Sequence, residues 1–140
     1  MRSLFAIWAA TFIFATGPAL AEQELDLPVA LNGDWRVVNE QSPELGQGCD
    51  KMQRFAVAAD GKSILLTEPW ANFSANYKII WIEKDRLLTV IEGEDRLTEK
   101  GDPVLWWFYF EDEDHFRFRQ YDWQAKNVTA AQWVRCPTKP

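Results

Sequence analysis

The chain is poor in the residues that most often build metal and catalytic centres. Its 140 residues include one histidine, His115, and two cysteines, Cys49 and Cys136, which lie far apart. A zinc site needs clustered cysteine and histidine ligands, so no zinc signature is present. No histidine accompanies a candidate nucleophile, and neither a G-x-S-x-G segment nor a phosphate-binding glycine loop occurs. The sequence therefore favours a non-catalytic protein without a metal or cofactor.

Basic residues are also in deficit. There are 15 lysines and arginines against 21 acidic residues, which gives a formal net charge of −6. Nucleic-acid binding needs a basic face that neutralises phosphates, and docking on anionic lipid needs a similar cluster. The charge balance argues against both kinds of partner. Hydrophobic residues make up 47 % of the chain, which is enough apolar surface for a folded core.

Residues 1–21 have the composition of a cleaved export signal. The basic Arg2 precedes an apolar run over residues 4–14, and Ala-Leu-Ala at residues 19–21 forms an A-x-A cleavage site. The apolar run is shorter than the roughly 20 residues of a membrane-spanning helix; an uncleaved anchor is the alternative. We therefore expect a secreted or periplasmic protein with a single domain over residues 22–140.

Export bears on two kinds of covalent modification. Two thiols in one exported domain usually pair, and a Cys49–Cys136 bond would close a loop over most of the domain. Such a bond contributes about 4–5 kcal/mol in the chain-entropy estimate; two buried free thiols are the alternative. The N-x-[ST] sequons at Asn72 and Asn127 would be glycosylated only in a eukaryotic host.

Short runs of alternating apolar and polar residues, separated by turn signals, are typical of an all-β protein. Asp60-Gly61 predicts a tight hairpin because both residues tolerate a positive φ, and residues 84–85 and 111–115 predict two more. A meander removes its edges by closing on itself, so we predict a single antiparallel up-and-down β-barrel of about eight strands. The expected strands are residues 35–38, 52–58, 62–68, 76–83, 86–92, 104–110, 116–121 and 131–136.

One group of features resembles a known family. Gly33-Asp34-Trp35 opens the first strand, a long loop over residues 39–51 follows, and Arg135 lies in the last strand. This resembles the lipocalin or calycin pattern, which has a G-x-W motif, a large first loop over the barrel mouth and eight antiparallel strands. In that family a basic residue near the end of the barrel packs on the motif tryptophan. The resemblance implies that Arg135 packs on Trp35 beside Gly33.

The interior of an eight-stranded barrel can be filled by side chains or can hold one small ligand. Strand alternation predicts an inward-facing set that includes Phe55, Leu66, Leu88, Val90 and Phe116. A solid aromatic core is the alternative to a cavity. The inward residues that would contact a ligand in the candidate cavity are Trp35, Tyr77, Trp81, Trp106, Phe108 and Phe118.

Arg119 and Tyr121 are a second candidate feature of the cavity. An arginine and a tyrosine two residues apart can hold a carboxylate by charge-assisted hydrogen bonds. This pair resembles the R-x-Y pair of fatty-acid-binding proteins, which lies on the last strand of that family. The alternative is that Arg117, Arg119 and Tyr121 form an exterior polar face that pairs across strands with acidic residues.

Two functions remain open. The leading one is non-catalytic binding of a small apolar or amphipathic molecule inside the barrel. The alternative is a protein-interaction module or an inhibitor of a secreted hydrolase. Residues 104–110 are apolar on both faces, so their outer face is either covered by other residues or is an aromatic patch that binds a partner. A cavity predicts that Trp81 and Trp106 are shielded. A partner surface predicts acidic loops, no void and exposed aromatics, for which the candidates are Trp107, Tyr109 and Trp123.

Overall fold

A computed structural model describes residues 24–39, 46–122 and 131–138, and in it eight antiparallel strands form one closed barrel. Each strand pairs with its neighbours in sequence, and the first strand pairs with the last. The predicted all-β up-and-down barrel is therefore confirmed. The strands are β1 (Gly33–Asn39), β2 (Gln53–Val57), β3 (Ser63–Glu68), β4 (Phe73–Glu83), β5 (Arg86–Ile91), β6 (Trp106–Asp112), β7 (His115–Gln120) and β8 (Ala131–Arg135).

The strand directions define two ends of the barrel. At one end, which we call the closed end, lie the start of β1 and the hairpin turns at residues 58–62, 84–85 and 113–114. A short helix, α1 (Leu27–Ala30), precedes β1 there, and Asp26 caps it by accepting a hydrogen bond from the Val29 amide. Leu27 and Leu31 from this segment are buried in the core. At the other end, the open end, β1, β3, β5 and β7 finish.

Aromatic side chains fill much of the barrel interior. Trp35 packs edge-on against Phe116, with 4.8 Å between ring centroids, and Phe55 packs edge-on against both Phe108 and Phe116. Such edge-to-face pairs contribute beyond the area that they bury. The buried core residues are Leu27, Leu31, Trp35, Phe55, Ile64, Leu66, Tyr77, Leu87, Phe108, Phe110 and Phe116.

The inward face of β5 corrects the sequence expectation. Leu87 pairs with the buried Phe108 and is itself fully buried, whereas Leu88 pairs with Trp107 on the outer face. Leu87, rather than the expected Leu88 and Val90, therefore belongs to the core. The cause is a bulge in β4 between Ile79 and Trp81, where an extra residue reverses the alternation of the following positions.

The two cysteines form the predicted disulfide. Cys49 begins a 3₁₀ turn before β2, and Cys136 directly follows β8, with 5.8 Å between the two Cα atoms. The predicted bond is confirmed, and it joins two residues that are 87 positions apart in the sequence. Nearby, the Gln47 amide donates to the Val37 carbonyl at 2.7 Å, where β1 has run past its pairing with β2. The segment before β2 is thus held against β1 and β8.

The export signal predicted for residues 1–21 lies outside the described residues. Within the described ranges, no helix has the length and apolar character that crossing a membrane requires.

Candidate functional site

The three residues of the predicted G-x-W contact meet at the closed end of the barrel. The guanidinium carbon of Arg135 lies 4.2 Å from the ring centroid of Trp35, which is completely buried. Gly33 has a φ of +128°, and a Cβ there would lie 3.0 Å from Nη1 of Arg135. Only glycine combines that backbone angle with such a close approach. The Trp35 indole also donates to the Leu31 carbonyl at 2.9 Å.

The Arg135 guanidinium also ties three chain segments together. Its nitrogens donate to the carbonyls of Asn32, Ala30 and Glu113 at 2.8, 2.6 and 2.6 Å, and Nε donates to the Asp114 carboxylate at 2.8 Å. The planar, fixed donors of arginine suit such a divergent set of acceptors. Arg135 and the buried Leu27 and Leu31 therefore close the barrel interior at this end.

A cavity of about 210 Å³ lies in the interior near the open end. Three of its lining residues stand where strands meet that end: Gln53 begins β2, Glu68 finishes β3 and Phe73 begins β4. The walls are otherwise apolar or aromatic, which gives the cavity an apolar interior with a polar rim. The lining residues are Gln53, Phe55, Leu66, Glu68, Phe73, Tyr77, Phe108, Phe116, Phe118 and Trp133.

The polar residues of the cavity form a chain of hydrogen bonds. The Trp133 indole donates to Oε1 of Gln53 at 2.5 Å, and Nε2 of Gln53 donates to Oε1 of Glu68. An indole N–H can only donate, so it orients the Gln53 amide with its oxygen towards Trp133 and its NH₂ towards Glu68. Glu68 therefore acts as an acceptor, the role that its ionised form fills.

The phenol of Tyr77 reports the electrostatics of this region. Burial is the main cause that raises its pKa to about 12, and the negative charges of Glu68 and Glu94 contribute to the same rise because they oppose a phenolate. The Tyr77 side chain is buried and lines the cavity. The cavity wall thus lies in a region that disfavours additional negative charge.

The predicted cavity residues divide into three groups. Tyr77, Phe108 and Phe118 line the cavity. Trp106 is partly buried and does not line the cavity; its ring is stacked on that of Phe118, with 4.6 Å between the ring centroids. Trp35 lies in the core near the closed end, where it contacts Arg135 rather than the cavity. The interior is therefore aromatic as expected, but a void remains beside those side chains.

Three other candidates lie on the outer face, which corrects their expected position. Trp81 is 59 % exposed because the β4 bulge turns it outwards, and Tyr121 is 53 % exposed. Arg119 pairs with Trp107, an outward-facing residue, and its guanidinium lies 5.3 Å from the Tyr109 ring centroid. The Arg119 and Tyr121 pair is thus on the exterior and cannot hold a carboxylate inside the barrel.

The aromatic partner surface expected around Trp107 is not open. Trp107 is only 8 % exposed, and Arg86 lies over both Trp107 and Tyr109, at 5.6 and 5.1 Å from their ring centroids. Tyr109 is half-buried. This stack covers the outer face of β6, whose apolar composition the sequence left unexplained. The third candidate, Trp123, lies outside the described residues.

The sequence reasoning missed four cavity residues, although strand alternation contains a signal for them. Gln53 shares the inward parity of Phe55, and Glu68 shares that of Leu66. Phe73 has the parity of Tyr77 but stands before the predicted start of its strand. Trp133 is two residues from Arg135, whose contact with Trp35 fixes the inward face of β8. Extending each inward series to the strand end would have found Gln53, Glu68 and Trp133, whereas Phe73 lies outside the predicted strand.

No group of three histidine, cysteine, aspartate or glutamate side chains in the described ranges is placed to bind a metal ion. Comparison of the chain with known protein families, curated proteins and solved structures finds no significant match. The class that the fold defines is therefore an eight-stranded antiparallel closed barrel with one disulfide.

Proposed function

We propose that the protein is an exported, lipocalin-like binding protein that carries one small apolar or amphipathic molecule in its barrel without transforming it. The observation that carries the proposal is the cavity of about 210 Å³, which has aromatic walls and a polar rim. Ligand sites of this kind are concave and mostly apolar, with a few polar groups that fix orientation. Drug-sized ligands fill roughly 300–1,000 Å³, so this ligand is smaller.

Two further features support the proposal. The stacking of Arg135 on Trp35 beside Gly33 is the contact that the lipocalin resemblance implies. The Cys49–Cys136 disulfide fits a protein that matures in an oxidising compartment outside the cytosol.

The test fills the cavity by mutation and uses the neighbouring residue as control. Leu66 lines the cavity and is 6 % exposed, whereas Leu65 on the same strand faces outwards and is 44 % exposed. Native mass spectrometry of protein purified gently from its own host should show an added mass for the wild type and for Leu65→Trp. Leu66→Trp should lose that mass while it keeps a cooperative thermal unfolding transition.

A bare mass for the wild type, or equal retention by both variants, would contradict the proposal. If Leu66→Trp does not fold, the smaller Leu66→Phe serves in its place.

A second candidate function, recognition of a protein partner, is favoured by one surface. Ile80, Trp81 and Ile82 follow one another on β4 and are 48, 59 and 52 % exposed. Contiguous exposed apolar residues are uncommon on a monomer and often mark an interface. Trp81→Lys should abolish the binding of such a partner, whereas the added mass seen in native mass spectrometry should be unchanged.

A further inference from the structure

We propose that the ligand of the barrel is a small organic cation, such as an alkylammonium, whose charged group lies beside Glu68 among the aromatic side chains of the open end. The inference rests on the proposed function and names the chemical class of its ligand.

Charge is the first support. Among the described residues that line the cavity, Glu68 is the only one with a charged side chain. In the described part of the chain no lysine, arginine or histidine lies within ion-pair distance of Glu68. A partly buried carboxylate is costly to leave without a counter-charge. A cationic ligand would supply the missing charge.

The orientation of the carboxylate is the second support. Trp133 fixes the Gln53 amide, and Gln53 in turn donates to one oxygen of Glu68. An ionised carboxylate has about four acceptor positions, and one described donor occupies only one of them. The remaining acceptor capacity is held in place before a ligand arrives, which lowers the entropic cost of binding.

The aromatic walls are the third support. Phe73, Tyr77, Phe118 and Trp133 line the same cavity as Glu68. The faces of aromatic rings attract cations, and aromatic cages recognise quaternary ammonium groups in this way. Phe73 lies at the rim and is 50 % exposed, so its ring borders the entrance of the cavity. Aromatic faces together with one carboxylate suit a soft organic cation better than a neutral hydrocarbon.

The alternative head group, a carboxylate, is disfavoured by the same residues. It would meet the negative charge of Glu68 and find no cationic partner among the described lining residues. The arginine and tyrosine that the sequence offered for a carboxylate, Arg119 and Tyr121, lie on the outer face. The negative charges of Glu68 and Glu94, which together with burial raise the pKa of the Tyr77 phenol, would also oppose a carboxylate ligand. The formal net charge of −6 also attracts cations to the protein at long range.

The test compares two probes of the same shape. Choline and 3,3-dimethylbutan-1-ol differ mainly in a quaternary nitrogen in place of a carbon, and therefore in one positive charge. In NMR titrations of the full mature protein we expect both to shift resonances of cavity residues. Choline should bind about tenfold more tightly, the size of one well-placed cation–aromatic and charge contact.

The matched variants are Glu68→Gln and Glu92→Gln. Each removes one negative charge near the open end, but Glu92 is exposed at the end of β5 and does not line the cavity. Glu68→Gln should abolish the preference for choline and leave the affinity for the alcohol unchanged, whereas Glu92→Gln should keep the preference. Thermal unfolding of both variants checks that the fold is intact.

The outcomes separate the two proposals. If both probes bind equally and Glu68→Gln changes neither affinity, the cation inference fails while the cavity function stands. If neither probe shifts a cavity resonance, the proposed function itself is contradicted. A choline preference that survives Glu68→Gln would also overturn the assignment of the cation to this carboxylate.

Discussion

At the residue scale, single side chains organise each end of the barrel. Arg135 covers Trp35 and satisfies three backbone carbonyls at the closed end, whereas Gln53 links Trp133 to Glu68 at the open end. The first arrangement closes the barrel interior at its end, and the second leaves acceptor capacity beside the interior cavity. The two arrangements therefore lie at opposite ends of the barrel axis.

Replacement of Arg135 should show how much of the stability depends on its planar guanidinium. Arg135→Lys keeps the charge but cannot reach several diverging acceptors or stack on Trp35. Loss of these hydrogen bonds and of the contact with Trp35 should reduce the free energy of unfolding by about 2–4 kcal/mol, as measured by urea denaturation. Arg54→Lys is the control, because the Arg54–Asp34 pair is solvent-exposed and should contribute less than about 1 kcal/mol. Equal losses in the two variants would contradict the sealing role.

Tyr77 makes the fold sensitive to high pH. Its pKa is raised from 10.0 to about 12, so between these values the folded protein keeps a proton that the unfolded chain has lost. Stability from this residue is complete below pH 10 and decreases as the pH rises towards 12. The loss should approach about 2–3 kcal/mol. Urea titrations at pH 9 to 12 measure it, and Tyr77→Phe should flatten the profile; an unchanged slope in that variant would refute the assignment.

At the element scale, a bulge in β4 determines which side chains of β4 and β5 face the barrel interior. The bulge between Ile79 and Trp81 places these two residues on opposite faces, although they are two positions apart. Because β5 pairs with β4 through the next hairpin, its alternation is reversed as well, so that Leu87 points inwards and Leu88 outwards. A single extra residue thus decides which tryptophan is in the core and which is in solvent.

Two identical substitutions test this orientation. Trp35→Phe removes an indole that is fully buried, is hydrogen-bonded to Leu31 and contacts Arg135. It should reduce the free energy of unfolding by about 2–4 kcal/mol. Trp81→Phe alters an exposed side chain and should change it by less than about 0.5 kcal/mol. Comparable costs would place Trp81 in the core after all.

The sequence predicted those elements whose signals are local. The Asp60-Gly61 turn, the alternation in β2 and β3 and the count of two cysteines all carry their meaning in a few residues. The β4 bulge has no glycine or proline to mark it, so alternation continued past Ile80 gave the wrong face for Trp81. The cover over Trp107 depends on Arg86, which is distant in sequence. Such tertiary contacts leave no trace in a local pattern.

The candidate site was harder to predict than the fold for a related physical reason. Its aromatic walls follow from strand alternation, but its chemistry depends on Gln53 and Glu68. Polar residues at strand ends ordinarily face solvent, and nothing in the sequence shows that Trp133 is close enough to orient the Gln53 amide. Only the pairing of β1 with β8 brings those residues together.

At the scale of the whole molecule, the disulfide is the main covalent restraint. It links the segment before β2 to the residue after β8, and its two cysteines are 87 positions apart in the sequence. A double Cys49→Ser and Cys136→Ser variant should lose about 2–5 kcal/mol, because its unfolded chain is no longer restricted. Differential scanning calorimetry should show a clearly lower melting temperature, and reductant should lower the wild type to the same value. A variant that melts like the oxidised wild type would exclude a stabilising role for this bond.

The pairing of β1 with β8 also sets the order in which the chain can reach its final form. Every other pairing joins neighbours in sequence and can form as soon as a hairpin is made. The seam between β1 and β8 has the largest sequence separation, so its loop-closure entropy makes it the slow step of folding. Until residues 131–135 are available, one edge of β1 has no strand to pair with, and the barrel stays an open sheet. If the chain is threaded through a narrow channel, the barrel would thus stay open until residues 131–135 have emerged.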